Sequence, residues 1–106
     1  MALAEISVVP LGTPTSSIGD WIAEAVKIAA ENKSIRYEVS SMGTLIEGKT
    51  SDILTLAKKM HEAAFKKGIK RVLTTVVIDD RRDKDVTIKS KVAGVKKRLK
   101  ASAKTK

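Results

Sequence analysis

The stretch Ile35-Arg36-Tyr37-Glu38-Val39-Ser40-Ser41, broken at Met42-Gly43 and resumed as Thr44-Leu45-Ile46-Glu47 before Gly48, decides the fold. In its first half Ile35, Tyr37 and Val39 alternate with Arg36, Glu38 and Ser40, the period of a strand with one face buried. Its second half reads as another short strand. Two strands therefore follow one another here directly.

Working outward, helical patterns lie on both sides. Upstream, Ser17 followed by Asp20 resembles a capping box, and Ile18, Ile22, Ala25 or Val26, and Ala29 recur at helical spacing to about Asn32. Before that helix, residues 3–11 (LAEISVVPL) alternate, with Ile6 and Val8 on one face and Glu5, Ser7 and Val9 on the other; Pro10 argues for the end of the strand. Downstream, Ser51 or Asp52 is expected to cap a second helix striped by Ile53, Leu56 or Ala57, Met60, and Ala63 or Ala64, with Gly68 as its C′ residue. Residues 71–78 (RVLTTVVI) are the most β-prone stretch and end at Asp79-Asp80-Arg81-Arg82-Asp83. A last helix is expected over about 87–100, with Ile88, Val92, Val95 and Leu99 on one face.

The predicted order is β-α-β-β-α-β plus a C-terminal helix. That is the split βαβ, ferredoxin-like arrangement of an α+β protein, with two helices over one face of a four-stranded antiparallel sheet. The chain's 106 residues fit one domain, assigned to 1–100, with 101–106 as a basic tail expected to be disordered. On the 71–78 strand neither face is polar: Leu73 and Val77 point opposite to Val72, Val76 and Ile78. A sheet face bearing Leu73, Val77 and Val9 would be an exposed apolar patch, which implies a homo-oligomer unless the third helix folds back over it.

Composition narrows the function classes. There is no cysteine, which excludes disulfides, thiolate metal sites and a cysteine nucleophile. No apolar run reaches the roughly 18 residues of a membrane span, and no signal peptide is recognisable, so a cytoplasmic protein without membrane contact is expected. The net charge of +9 is uneven: residues 84–106 hold nine Lys/Arg against Asp85 alone, while residues 1–83 hold 12 positive and 11 negative charges. Basicity that rests on one terminal segment is weak grounds for nucleic-acid binding. Phe65 lies in a helical stretch, and the 71–78 strand lacks the aromatic interleaving on which bases stack, so nucleic acid is not the expected partner.

Catalytic groupings are scarce. His61, the one histidine, lies in a helix beside Met60 and Glu62, and a lone helical histidine is more often a packing residue than a base. No metal-ligand cluster, phosphate loop or dinucleotide fingerprint occurs, and neither catalysis nor a cofactor is expected. Two polar segments at strand ends are more suggestive. One is the hairpin 37–48, with its tyrosine, hydroxyls, glycine and carboxylate, which reads either as a ligand site or as an ordinary hairpin. The other is 78–83, whose five successive charges read as a solvated turn, a cross-subunit ion-pair cluster or the rim of a site.

These residues are also familiar as a set. Val8-Val9-Pro10-Leu11-Gly12-Thr13, the hairpin from Tyr37-Glu38-Val39 to Met42-Gly43-Thr44-Leu45-Ile46-Glu47-Gly48, Ile78-Asp79-Asp80-Arg81-Arg82-Asp83, and Lys91-Val92 with Val95-Lys96 resemble the small thiamine-binding protein family, the YkoF-like proteins, and its stand-alone single-domain members above all. The resemblance implies a ferredoxin-like subunit in a homotetramer, a dimer of dimers, that binds thiamine or its hydroxymethylpyrimidine part near subunit interfaces, in salvage, transport or regulation and without catalysis. The basic extension after Leu99 looks like an addition to that pattern.

Such a ligand offers a flat aminopyrimidine and a cationic thiazolium. Tyr37 is suited to stacking, Ser41 and Thr44 to hydrogen-bonding the pyrimidine edge, and Glu47 to accepting from its amine. Asp79 is suited to facing the thiazolium, and Arg81, with Arg82, to holding the loop or a phosphate. Trp21 fits the core better than the site. The rival readings are an oligomer that senses an anion at Arg81 and Arg82, and weak phosphate contact through the basic C-terminal segment.

Overall fold

Ala2, Ala4, Ile6, Val8 and Pro10 turn one way along the first strand, β1 (Ala2–Leu11), and all are buried, while Leu3, Glu5, Ser7, Val9 and Leu11 turn the other way and are half-buried. That alternation sets the plan of the molecule. The computed structural model describes residues 1–105, with side chains through Ser102. After β1 come α1 (Gly19–Glu31), β2 (Arg36–Val39), β3 (Thr44–Gly48), α2 (Thr50–Ala63), β4 (Arg71–Asp79) and α3 (Ile88–Thr105). The fold is α+β and ferredoxin-like: the strands form one sheet in the order β2-β3-β1-β4, with every neighbouring pair antiparallel.

The core lies between the even-numbered face of β1 and the two helices packed on it. Ile6, Ile46, Ile53, Leu56 and Met60 are its fully buried large side chains, joined by Ala25 and Ala29 of α1. Each fully buried Leu, Ile or Met contributes roughly 1.5–3 kcal/mol through loss of apolar surface to water. Trp21 is buried too, and its indole Nε1 donates to the Lys66 carbonyl at 3.2 Å. His61 is a packing residue: its Nδ1 lies 2.7 Å from the Thr74 hydroxyl, and its ring meets Phe65 edge-on.

The structure differs from the sequence reading at the element ends. β1 continues through Pro10 to Leu11, because its pairing with β3 stops at Ile6; beyond that point β1 has β4 alone as neighbour, and a missing N–H is tolerated. The expected capping box at Ser17 does not form. Ile18 occupies the N-cap of α1 without a side-chain bond, and Ser17 instead donates its N–H to Thr15 Oγ1. Lys49, and not Ser51 or Asp52, is the N-cap of α2, again without a side-chain bond. α2 also ends at Ala63, so Gly68 is no C′ residue; with Lys67 it forms a tight turn in which both residues have positive φ, closed by Ile69 N–H to the Lys66 carbonyl at 3.1 Å. In each case the docking of an apolar face places the helix, and the local capping preference, worth about 1 kcal/mol, yields.

α3 starts one residue late and runs past residue 100 to Thr105. Ala101 and Ala103 are the strongest of helix formers, and they carry the backbone of 101–105 onward as helix across the boundary drawn for the tail. Of that tail, Lys106 lies outside the described residues. α3 does not fold back over the whole sheet. Leu73 and Val77 on the face away from α1 and α2 remain exposed.

Candidate functional site

The pairing of β1 ends at Ile6 on one side and at Leu11 on the other, and this inequality opens a cleft. Ser41 and Met42 form the hairpin tip, closed by Ser40 N–H donating to the Gly43 carbonyl at 2.9 Å; the Ser40 hydroxyl donates to the same oxygen. Past that tip the edge of β1 at residues 7–9 has no strand beside it, and it forms one wall of a cleft of about 370 Å³. α1 supplies the opposite wall through Ile18, Ile22 and Val26. The volume falls in the range of small-molecule sites.

Two of the residues singled out from sequence meet there, Ser41 and Thr44. Thr44 is only 4% exposed, yet its hydroxyl has no hydrogen-bond partner among the described residues and is not sealed from the cleft. No charged residue lines the cleft; its remaining walls are aliphatic, with Met42 exposed at the tip and Met60 buried. A site of this kind favours a flat, neutral, weakly polar ring with hydrogen-bonding groups on its edge. The unpaired main chain of residues 7–9 and the Thr44 hydroxyl supply partners for that edge.

The other four residues lie elsewhere. Glu47 is three residues beyond Thr44 on the same strand and so on the opposite face. It is 7% exposed, and its Oε1 accepts the Ile88 N–H at 2.6 Å, which places a carboxylate at the N-terminus of α3. Thr87 and Ser90 cap the same helix reciprocally, each donating its N–H to the other's hydroxyl. Tyr37 sits on the edge strand β2, exposed, and does not line the cleft. Asp79 holds Lys91 at 2.6 Å. Gly43, read as a possible point of ligand approach, makes room instead for β1: a Cβ there would lie 3.0 Å from Glu5 Cγ and 3.1 Å from the Ile6 carbonyl oxygen.

Arg81 and Arg82 border a separate, open cavity of about 540 Å³ with Lys49 and Lys84. Both guanidinium groups are engaged within their own loop. Arg81 makes two bonds to Asp83, one of them 2.8 Å long, and Arg82 bonds Asp80 at 3.0 Å. The bond to Asp83 raises the Arg81 pKa, and the same bond holds the Asp83 carboxyl below its ordinary range. Cations already paired in this way are poor anchors for an added anion.

The residues that sequence reasoning missed are Ile22, Val26, Val39 and Met42 of the cleft. One signal was available. The apolar stripe of α1 is wider than its buried row of Trp21, Ala25 and Ala29, and the surplus Ile18, Ile22 and Val26, four residues apart, is the row that turns to the cleft.

Comparison with known proteins assigns this architecture. A sequence model of the family described as thiamine-binding protein matches residues 4–96. The chain belongs to the thiamine-binding protein family. Among curated relatives it is 45% identical to the UPF0045 protein YqgV of Bacillus subtilis, over 93% of this chain and 98% of the relative. Among solved structures it superposes on the hypothetical protein MJ1052 of Methanocaldococcus jannaschii with a TM-score of 0.81 and 30% identity, covering 89% of this chain and 94% of the other. A Thermotoga maritima protein provisionally placed in thiamine biosynthesis or salvage shares the fold, with a TM-score of 0.73 at 23% identity and coverage of 89% and 97%. Family membership gives the chain a thiamine-related role. No helix among the described residues is long and apolar enough to cross a membrane.

Proposed function

We propose that this protein binds thiamine or its hydroxymethylpyrimidine part without transforming it, and that the pyrimidine enters the cleft between α1 and the β2–β3 tip. The reading is carried by one observation: in a chain of the thiamine-binding family, the unpaired edge of β1 and the free Thr44 hydroxyl beside it line one apolar, uncharged slot. An aminopyrimidine has an apolar face for Ile22 and Val26 and a donor–acceptor edge for the main chain. The cationic thiazolium, for which the slot holds no carboxylate, stays at its mouth towards solvent. As the resemblance implies, the subunits assemble as a homotetramer, a dimer of dimers in the cytoplasm, that serves salvage, transport or regulation.

Calorimetric titration with thiamine and with hydroxymethylpyrimidine tests the placement. Both ligands are expected to bind with similar affinity, and Thr44→Val to weaken both about five- to tenfold, the value of one net hydrogen bond near 1 kcal/mol. Glu47→Gln is expected to leave binding unchanged. Loss of binding in Glu47→Gln with none in Thr44→Val would move the site to the other face of the sheet.

A further inference from the structure

α3 gives the basic C-terminal segment an order that its place in the sequence did not. From Ile88 to Thr105 the helix carries no carboxylate, and Lys89, Lys96, Lys97 and Lys100 are all exposed. None of the four has an ion pair among the described residues. At 3.6 residues per turn they fall within roughly 100° of arc and form a stripe about 16 Å long. Lys91, which holds Asp79, lies roughly opposite on the helix, so the stripe is turned away from the side anchored to the body.

The apolar residues of α3 do not share that side. Ile88, Val92, Val95 and Leu99 centre about 110° round the helix from the four lysines. Contact with the stripe therefore needs nothing from the apolar row, and a partner for it is selected by charge. Lys96 and Lys100 stand one turn apart, a like-charge pair that weakens a helix until a counter-charge lies beside it. One small anion answers one or two of these ammonium groups. A polyanion with charges repeated along its length answers the whole row.

A nucleic-acid duplex fits this array best, because its backbone presents phosphates at regular spacing to an ordered row of cations. α3 has no aromatic residue on which unpaired bases would stack, and no Trp or Phe to anchor it in a lipid surface. It also lacks Asn and Gln, and its one arginine, Arg98, lies on the other flank, so base edges go unread. We infer that the lysine stripe of α3 is a docking surface for the phosphate backbone of a nucleic-acid duplex, bound without regard to base sequence. The 71–78 strand, which offers no aromatic platform, plays no part, and the contact is electrostatic alone. The inference goes beyond the thiamine-related role, since no residue of the cleft enters it.

Fluorescence anisotropy of the full chain with labelled duplex DNA of about 20 base pairs, in two unrelated sequences, tests the inference. Both sequences are expected to bind equally. Four phosphate contacts give a log–log salt slope near −3.6, so affinity is expected to fall about a hundredfold between 50 and 200 mM salt. Combining Lys96→Gln, Lys97→Gln and Lys100→Gln is expected to weaken binding at 50 mM salt at least tenfold and to flatten the slope by about three. Lys49→Gln with Lys84→Gln removes cations outside α3 and is expected to change binding less than twofold. Equal losses in the two variants would overturn the inference in favour of attraction to net charge, and absence of binding at 50 mM salt would overturn it outright. Tighter binding to single strands of the same length, or to phosphatidylserine vesicles, would overturn it in favour of those partners. The triple variant is expected to keep its thermal unfolding midpoint and its response to thiamine, so a failed docking surface and a failed ligand site give different results.

Discussion

The two faces of the sheet draw on the same strands and much the same residue types, yet they are put to different uses. On the side of α1 and α2, Ile46 is fully buried and Thr44 keeps a free hydroxyl at the edge of a cleft. On the other side, Leu73 and Val77 are exposed, and the buried polar group, Glu47, is consumed in holding the first turn of α3. Apolar content alone does not separate the faces. What separates them is coverage: a face covered within the chain is a core with a cleft at its margin, and a face left uncovered is a surface awaiting a neighbour.

The largest effect that sharpens this contrast is a pair of truncations. Ile46→Ala is expected to cost about 3–4 kcal/mol of stability, because the methyl groups it removes leave a cavity in a close-packed interior. Leu73→Ala is expected to change the stability of the dilute chain by less than about 0.5 kcal/mol, since nothing in the chain covers it. Denaturant unfolding of both variants measures the difference; equal losses would mean that the open face is covered within the chain and would remove the distinction.

Glu47→Ala comes next. It removes a charge-assisted bond and a favourable charge at a helix N-terminus, a loss of about 1–2 kcal/mol. The damage is expected to stay in α3, with faster hydrogen exchange at its first-turn amides and unchanged protection in β1 and β3. Uniform loss of protection would show that Glu47 belongs to the core and not to the anchor of the projecting helix.

The smallest effect concerns the loop beyond β4. Asp83 has its folded pKa lowered by Arg81, so any stabilisation from this pair is complete above the unfolded carboxyl's ordinary value and is lost as the pH falls through the lowered one. Both groups are exposed, and surface pairs of this kind contribute little to stability. The readout is therefore the Asp83 carboxyl resonance, which is expected to titrate below the usual range and to return towards it in Arg81→Ala.

Much of this could be read from the amino-acid order. Period two in residues 3–11, and period 3.6 in the helices, follow from which side chains must leave water, and so the element order and the ferredoxin-like plan were legible; β2 keeps the alternation although all four of its residues are exposed, so the expected buried face is not found there. The opposite faces of Thr44 and Glu47 also follow from strand parity alone. The helix starts were less so, because Ser17, Ser51 and Asp52 are competent caps that docking passes over in favour of Ile18 and Lys49.

The sequence by itself determined which residues of each strand share a side, since alternation is a local property of the backbone. Only the tertiary structure decided what those sides meet. Glu47 is bound to an amide 41 residues further on, and the cleft exists because β3 stops pairing with β1 at Ile6 while β4 continues to Leu11. Both outcomes depend on contacts between segments far apart in the chain, which no local period encodes.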